Sequence, residues 1–157
     1  MKELANRALN VAQVKGAMYA DIRIIHKQDQ ALVVKNGEVA SLVQDEDQGF
    51  GVRAIVDGAW GFASSSLLSV REVERVATLA VQIARASALV KTMDVDIGSP
   101  IVHVDTYKTP VEIDPFSVSL EEKLKVLMAA DAEMRAVAKV AVATSSLECI
   151  REKQVFA

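Results

Sequence analysis

The chain has 157 residues, 51% of them hydrophobic and only 4% aromatic, which fits one globular domain whose core is filled mainly by aliphatic side chains. Its formal net charge is −3 and its basic residues are scattered, so we predict no nucleic-acid surface. Residues 76–90, the longest apolar stretch, contain polar side chains and fall short of the roughly 20 residues of a membrane helix. We therefore predict a cytoplasmic protein with no membrane contact.

A helix and a hairpin open the chain. Apolar residues at three- and four-residue spacing predict a helix over Lys2–Lys15. Alternating β-branched residues then predict strands over Asp21–Lys27, Ala31–Lys35 and Glu38–Gln44. Asn36-Gly37 lies between the last two strands and is typical of a type I′ turn, because both residues tolerate positive φ.

A second hairpin follows an acidic segment. Asp45–Gln48 is polar enough to predict a solvated loop. Gly49–Val56 and Ala59–Ala63 alternate as strands do, and Asp57-Gly58 between them predicts another two-residue turn. We expect an antiparallel sheet over Asp21–Ser64 that needs an apolar cover on one face.

A long helix supplies that cover. The segment Ser69-Val70-Arg71-Glu72 has the pattern of a capping box, in which serine and glutamate satisfy amides of the first helical turn. The helix behind it is predicted to end near Lys91, and the small residues of its apolar stripe predict close packing on the sheet. The predicted stripe consists of Val73, Val76, Ala77, Ala80, Ile83 and Ala84.

An irregular connection and a third helix come next. Glycine and the three prolines of the chain predict a long connection over residues 92–118, with a short strand at Ile101–Val104. A second capping box, Ser119-Leu120-Glu121-Glu122, opens a helix that runs to about Arg135. Its core-facing residues are Leu120, Leu124, Leu127 and Met128.

Two more strands are predicted at the end, over Val137–Thr144 and Leu147–Phe156, joined around Ser145-Ser146. The fold class is therefore α+β, with antiparallel sheet and hairpins covered by three main helices. The order helix, strand, strand recurs at both ends of the chain, which suggests a weak internal α-β-β duplication.

Few residues of the chain could hold a metal. A protease zinc site of the common type has two histidines at helical spacing with a glutamate between them, and neither His26 nor His103 lies in such a motif. A site that joins both histidines to Cys149 and an aspartate is the less favoured interpretation. We favour a half-buried His26, a surface His103 and an inert, partly buried thiol, and we predict no catalytic residue and no metal ligand.

The hairpin residue Trp60 has two interpretations. Tryptophan is enriched at binding hot spots, whereas the nearby Phe50 and Phe62 favour packing in the core. Core packing is the favoured interpretation. For a hairpin that binds a substrate or a partner, the candidate residues are Gly51, Arg53 and Trp60.

Two stretches of the chain carry a family resemblance. Residues 49–65 read GFGVRAIVDGAWGFASS, and residues 114–123 read DPFSVSLEEK. They resemble the glycine-rich hairpin and a second stretch in the first domain of the TldD/PmbA family, once called modulators of DNA gyrase. The resemblance covers essentially the whole chain, and the hairpin with its tryptophan is more similar to the TldD side of the family.

The resemblance implies a single N-terminal domain over residues 1–157 that stops before a C-terminal metalloprotease domain. In that family the motif H-E-x-x-x-H lies in the C-terminal domain, so zinc is expected there and no cofactor is expected in this chain. The implied role is to shape substrate access, or a subunit interface in a homo- or heterodimer, for a peptidase that acts on peptides or partly unfolded proteins. A stand-alone interaction or scaffold module without activity is the alternative.

Overall fold

The computed structural model describes residues 1–99 and 103–157, and these residues form three α-helices and a four-stranded sheet. The sheet is antiparallel and has the order β3-β2-β1-β4, which confirms the α+β class. Over the described residues, none of the helices is long and apolar enough to cross a membrane. The elements are α1 (Lys2–Val14), β1 (Tyr19–Lys35), β2 (Glu38–Val56), β3 (Ala59–Ser65), α2 (Val70–Ala88), a 3-10 turn (Pro115–Ser117), α3 (Leu120–Arg135) and β4 (Thr144–Phe156).

The chain divides into two compact units. Unit 1 consists of Met1–His26, Asp47–His103 and Glu152–Ala157. Unit 2 consists of Lys27–Glu46 and Val104–Arg151. Strands β1, β2 and β4 each contribute residues to both units.

Both predicted hairpin turns are confirmed by their backbone angles. Asn36 and Gly37 have φ of 52° and 84°, and Asp57 and Gly58 have φ of 48° and 73°. Positive φ at both central residues is the mark of a type I′ turn, whose twist matches that of the strands it joins. These residue types occur at the turns because they adopt positive φ at the least steric cost.

The core of unit 1 is built from small residues. Helix α1 buries Ala5, Ala8 and Ala12, and α2 packs beside it on the same apolar face of the sheet. Helix α2 comes very close to the sheet at Gly61 of β3, where a Cβ atom would overlap the backbone of α2 at Ala80 and Ala84. The predicted close packing of α2 on the sheet is therefore confirmed, because Gly61 lets the two backbones touch.

One member of the predicted α2 stripe is wrong. Ile83 is 38% exposed, whereas Val81 is 1% exposed and takes the place in the core. Helical periodicity does not separate these two residues, because at 3.6 residues per turn each lies about 80° from Val73, on opposite edges of the stripe. The tertiary packing of α2 therefore decides which edge is buried. The cap is partly as predicted. The Ser69 hydroxyl accepts from the amide of Glu72, but the Glu72 carboxylate pairs with Arg75.

Unit 2 is organised around α3, which begins with the predicted capping box at Ser119 and Glu122. Both reciprocal hydrogen bonds of that box are present. The core-facing residues are also as predicted, and they pack on Leu32 and Val34 of β1 and on Leu147 of β4. The α3 residues are Leu120, Leu124, Leu127 and Met128, of which Leu127 is buried.

The DPF segment before α3 is anchored by side chains. Asp114 caps the 3-10 turn by accepting from the amide of Phe116 and also pairs with Arg151 of β4. The Arg151 guanidinium lies 4.4 Å from the centre of the Phe116 ring, and the Lys123 ammonium lies 5.7 Å from it. One of the two stretches that carry the family resemblance thus fixes the connection to the sheet.

Several predicted strand boundaries are wrong in the same direction. The structure has one strand over Tyr19–Lys35 where two were predicted, and β2 continues through Asp45–Gln48 where we predicted a loop. Polar residues do not interrupt a strand whose side chains face water, because the ladder is made by the backbone. The backbone amides of Glu46 and Gln48 also donate to the side-chain carboxylates of Asp45 and Asp47, respectively.

The end of the chain also differs from the prediction. Residues 137–143 are turns and irregular backbone, and one strand, Thr144–Phe156, runs through Ser145-Ser146 without a turn. The order helix, strand, strand is therefore not repeated after α3. The predicted short strand at Ile101–Val104 lies in part outside the described residues, and Val104 itself is not in a strand.

Candidate functional site

The three candidate residues of the β2–β3 hairpin lie on one face of the sheet. The strands pair so that Gly51 is opposite Ser64, Arg53 opposite Phe62 and Ile55 opposite Trp60. Phe50, Val52, Ala54 and Val56 alternate with them and belong to the core under α1 and α2. Gly51, Arg53 and Trp60 are therefore on the face that these two helices leave uncovered.

Arg53 is held rigidly by Asp21 of β1. Its Nε lies 2.9 Å and its Nη2 2.8 Å from Asp21 Oδ2, a fork that fixes the plane of the guanidinium. The hydrogen bonds to Asp21 raise the pKa of Arg53, so this side chain stays charged. Asp21 is only 3% exposed, so the pair neutralises a carboxylate that would otherwise be buried alone.

The Arg53 guanidinium also contacts Trp60, which in turn contacts Tyr19. The Arg53 guanidinium lies 5.3 Å from the centre of the Trp60 ring, within the range of a cation–π contact. Tyr19 meets Trp60 edge to face, with 5.9 Å between ring centres and an interplanar angle of 87°. Burial, and then a hydrogen bond to Asp21, raise the pKa of the Tyr19 hydroxyl. Trp60 is consequently held from two sides.

Phe62 lies on the backbone of Gly51. A Cβ atom at Gly51 would come within 2.7 Å of the Phe62 ring, so only glycine allows the ring to lie there. Phe62 is nevertheless 55% exposed. Phe50 and Phe62 face opposite sides of the sheet, and Trp60, for which core packing was the favoured interpretation, lies half-buried on the uncovered face rather than in the core.

A second arginine and aromatic pair lies across the sheet. Arg23 of β1 lies 5.7 Å from the centre of the Phe156 ring, and Phe156 is 54% exposed. Backbone hydrogen bonds in both directions between Ile22 and Ala157 place β4 beside β1 here. We call the resulting surface the aromatic–arginine face, which consists of Tyr19, Asp21, Arg23, Gly51, Arg53, Trp60, Phe62 and Phe156.

The aromatic–arginine face combines two kinds of chemical group. Its groups are guanidinium donors and aromatic rings, which are enriched at the centres of protein interfaces. The sequence analysis named Gly51, Arg53 and Trp60 as candidates but did not name Tyr19 and Asp21, which contact Trp60 and Arg53. The signal that could have found them is the alternation of β1, which puts Tyr19, Asp21 and Arg23 on the face opposite the apolar Ile22 and Ile24.

The residues of this chain do not fit a zinc site. His26 is half-buried on β1, His103 is exposed in irregular backbone, and Cys149 is buried on β4. Among residues 1–99 and 103–157, no three histidine, cysteine or acidic side chains lie together in a way that could hold a metal ion. A catalytic zinc generally has three protein ligands, and the described residues do not bring three such side chains together.

Comparison with known proteins shows that residues 20–84 are similar to domain 1 of the PmbA/TldA metallopeptidases. These residues include the whole β2–β3 hairpin and most of α2. A metalloprotease of Methanocaldococcus jannaschii is 27% identical over 110 residues, which cover 70% of this chain and 24% of the archaeal protein. The resemblance to the TldD/PmbA family that the sequence predicted is thereby confirmed.

Solved structures share the fold of the chain. Two proteins described as modulators of DNA gyrase, from Bacteroides thetaiotaomicron and Thermotoga maritima, both have a TM-score of 0.70. They are 17% and 16% identical and are matched over 99% of this chain and over 36% and 34% of their own. TldE from Thermococcus kodakarensis has a TM-score of 0.67 at 12% identity, over 97% of this chain and 34% of its own. The chain thus spans about a quarter to a third of the length of these relatives.

Proposed function

We propose, from the match to domain 1 of the PmbA/TldD family, that this chain is the non-catalytic N-terminal domain of a zinc-dependent metallopeptidase that acts on peptides or partly unfolded proteins. Its role in the proposal is to bind and admit the substrate, while another part of the protein holds the zinc. The aromatic–arginine face is the observation that carries this proposal. It offers exposed rings and a fixed guanidinium on the side of the sheet that α1 and α2 leave uncovered.

Rigidity supports a binding role for this face. Arg53 is fixed by Asp21 and Trp60, so binding a ligand costs less conformational entropy than ordering a free arginine side chain. A purely structural role would account for the fork but not for the 55% exposure of Phe62 or the 54% exposure of Phe156. Exposed rings on a rigid support are typical of a surface that another molecule covers.

A second candidate, a protein-interaction module without activity, is favoured by a different feature. Strand β3 pairs only with Phe50–Val56 of β2, so residues 38–49 have no strand of this chain on that side among the described residues. That stretch leaves Val39, Leu42 and Val43 about half exposed. An exposed strand edge with apolar side chains can pair with a strand of another subunit.

The experiment that tests the proposal measures peptide hydrolysis by the longer, zinc-loaded protein that contains this chain. We expect Arg53→Ala and Trp60→Ala to raise KM by about tenfold, because each removes a central contact of the binding surface. We expect kcat, zinc content and inhibition by a chelator to stay unchanged. Leu89→Ala is the matched control, since Leu89 follows α2 and is 86% exposed.

Two results would contradict the proposal. Unchanged KM in both variants would remove the aromatic–arginine face from substrate binding and favour the interaction module. One zinc bound tightly by the 157-residue chain, and lost on mutating His26 or His103, would move the metal site into this chain. Equilibrium dialysis of the purified chain measures the second result directly.

A further inference from the structure

The aromatic–arginine face has a geometry that restricts its ligand beyond "a peptide". Trp60 and Phe62 lie two residues apart on β3, with their rings on the same face. A strand rises about 3.3 Å per residue, so the two rings are spaced by roughly 7 Å along the sheet. An extended peptide presents alternate side chains at the same interval. The row of rings therefore matches residues i and i+2 of an extended segment.

The charge of the face points to an uncharged ligand. Arg53 gives Nε and Nη2 to Asp21, so the two groups form a neutral pair. A carboxylate ligand would gain little from an arginine whose charge is already compensated, and it would be repelled by Asp21. The Nη1 hydrogens, which take no part in the fork, suit a neutral acceptor such as a peptide carbonyl.

We infer that the aromatic–arginine face selects uncharged, extended peptide segments that carry aromatic side chains at positions i and i+2. The rings of the ligand stack on Trp60 and Phe62, and a backbone carbonyl between them accepts from Arg53 Nη1. This inference rests on the proposed function, because it names the class of substrate that the same face admits. Such segments are buried in folded proteins and exposed in unfolded ones.

Arg23 is the group on this face that would favour an acidic ligand over a neutral one. Its guanidinium lies over Phe156 and near Gln154, which does not neutralise its charge. A ligand that bound mainly through Arg23 would be acidic and its affinity would fall with added salt. A neutral ligand held by Trp60, Phe62 and Arg53 would bind with little dependence on salt. Charge and salt dependence thus separate the two modes.

The test uses the fluorescence of Trp60, which is the only tryptophan of the chain. The purified 157-residue chain is titrated with three peptides of equal length. One is neutral with two aromatic residues at i and i+2, one has alanine at both places, and one keeps the aromatic residues but has acidic flanks. We expect the first peptide to bind about tenfold more tightly than the second, at about 0.7 kcal/mol for each stacked pair.

The salt dependence and a set of variants test the inference further. Each titration is repeated by calorimetry, so that binding without a change in fluorescence is still detected. We expect less than about a twofold change in Kd between low salt and roughly 0.5 M salt. Phe62→Ala should reduce the preference for the aromatic peptide from about tenfold to about threefold, because the pair on Trp60 remains. Arg53→Lys should weaken the binding of both neutral peptides, because lysine cannot form the fork with Asp21 and also donate to the peptide carbonyl. Leu89→Ala should leave the Kd of the neutral aromatic peptide unchanged.

The failures of the inference and of the proposed function are distinct. Equal Kd for the aromatic and the alanine peptide, or tightest binding of the acidic peptide, overturns the inference and leaves peptide binding in place. Binding of no peptide by either method overturns the inference, and unchanged KM in the hydrolysis experiment then decides against the proposed function as well. Far-UV circular dichroism of each variant confirms that its fold is intact.

Discussion

Each of the two units of the chain is stabilised internally by a different kind of contact. Unit 1 buries a large cluster of alanine, valine and isoleucine side chains, and its one buried charge, Asp21, has a complete fork from Arg53. Unit 2 has a small cluster and buries Gln30, Lys123 and Asp131 beside it. Asp131 pairs with Arg135 through Oδ2, while its Oδ1 has no hydrogen-bond partner among the described residues.

This difference predicts which kind of substitution should destabilise each unit. Close apolar packing is sensitive to added volume, because a filled core cannot move aside without straining side chains and backbone. Buried polar pairs are sensitive to the loss of one partner, because the other group is left without water and without a hydrogen bond. Added volume should therefore destabilise unit 1 most, and the loss of one polar partner should destabilise unit 2 most.

The largest effect is expected at Gly61, where added volume has no room. Gly61→Val places a branched side chain into the backbone of α2 at Ala80 and Ala84, so α2 must move away from the sheet. We expect a loss of at least about 3 kcal/mol in the free energy of unfolding, measured by urea denaturation. The control is Gly49→Ala, whose Cβ would lie 3.3 Å from the carbonyl oxygen of Ser65 and away from the helix. A loss at Gly49 as large as that at Gly61 would contradict this account of unit 1.

The next effect is expected in unit 2, where the Lys123 ammonium donates to Gln30 Oε1 in a buried pair. Gln30→Leu leaves a buried cation without this acceptor, and Lys123→Met leaves a buried amide without its donor. Each should cost about 2 kcal/mol, whereas the double variant should cost less than either, because both partners are then apolar. A double-mutant cycle in urea measures the coupling. Additive losses would mean that the pair does not stabilise unit 2.

The sequence predicted correctly those features of the fold that depend on neighbouring residues in the chain. Turns at Asn36-Gly37 and Asp57-Gly58, and the cap at Ser119, were predicted correctly because each depends on a few adjacent residues. The interruptions predicted within β1 and β2 were wrong, because a strand continues wherever a neighbouring strand pairs with it, whatever the polarity of its side chains.

The candidate site was only partly predictable for the same reason. The alternation of β3 puts Trp60 and Phe62 on one face of the sheet, but alternation alone does not tell which face α1 and α2 cover. Gly61 decides this, since its missing side chain lets α2 lie on the opposite side. Tyr19 and Asp21 were missed because their contacts with Arg53 and Trp60 join distant parts of the chain.

A medium effect is expected from the α2 stripe, where the structure corrected the sequence. Val81→Ala should cost about 2 kcal/mol, because Val81 is fully buried in the core of unit 1. Ile83→Ala should cost less than about 1 kcal/mol, although it removes a larger side chain, because Ile83 already contacts water. The two denaturation midpoints, measured side by side, decide which residue faces the sheet. A larger loss for Ile83 would restore the original stripe.

The smallest effect is expected at the start of α2, where a surface ion pair makes stability depend on pH. Hydrogen bonds from Arg75, and then from Ser65, lower the pKa of Glu72 from its ordinary value of 4.5 to about 2. Because the folded state lowers this pKa, ionised Glu72 stabilises the fold fully above pH 4.5, and the contribution is lost as the pH falls towards 2. We expect Arg75→Gln to weaken the acid-induced loss of stability in this range and to change the urea midpoint at neutral pH only slightly, since exposed ion pairs contribute little. Urea midpoints measured between pH 2 and pH 5, with Arg71→Gln as the matched control, test this. An identical pH profile for the Arg75 variant and the parent chain would mean that Glu72 does not depend on Arg75 for its low pKa.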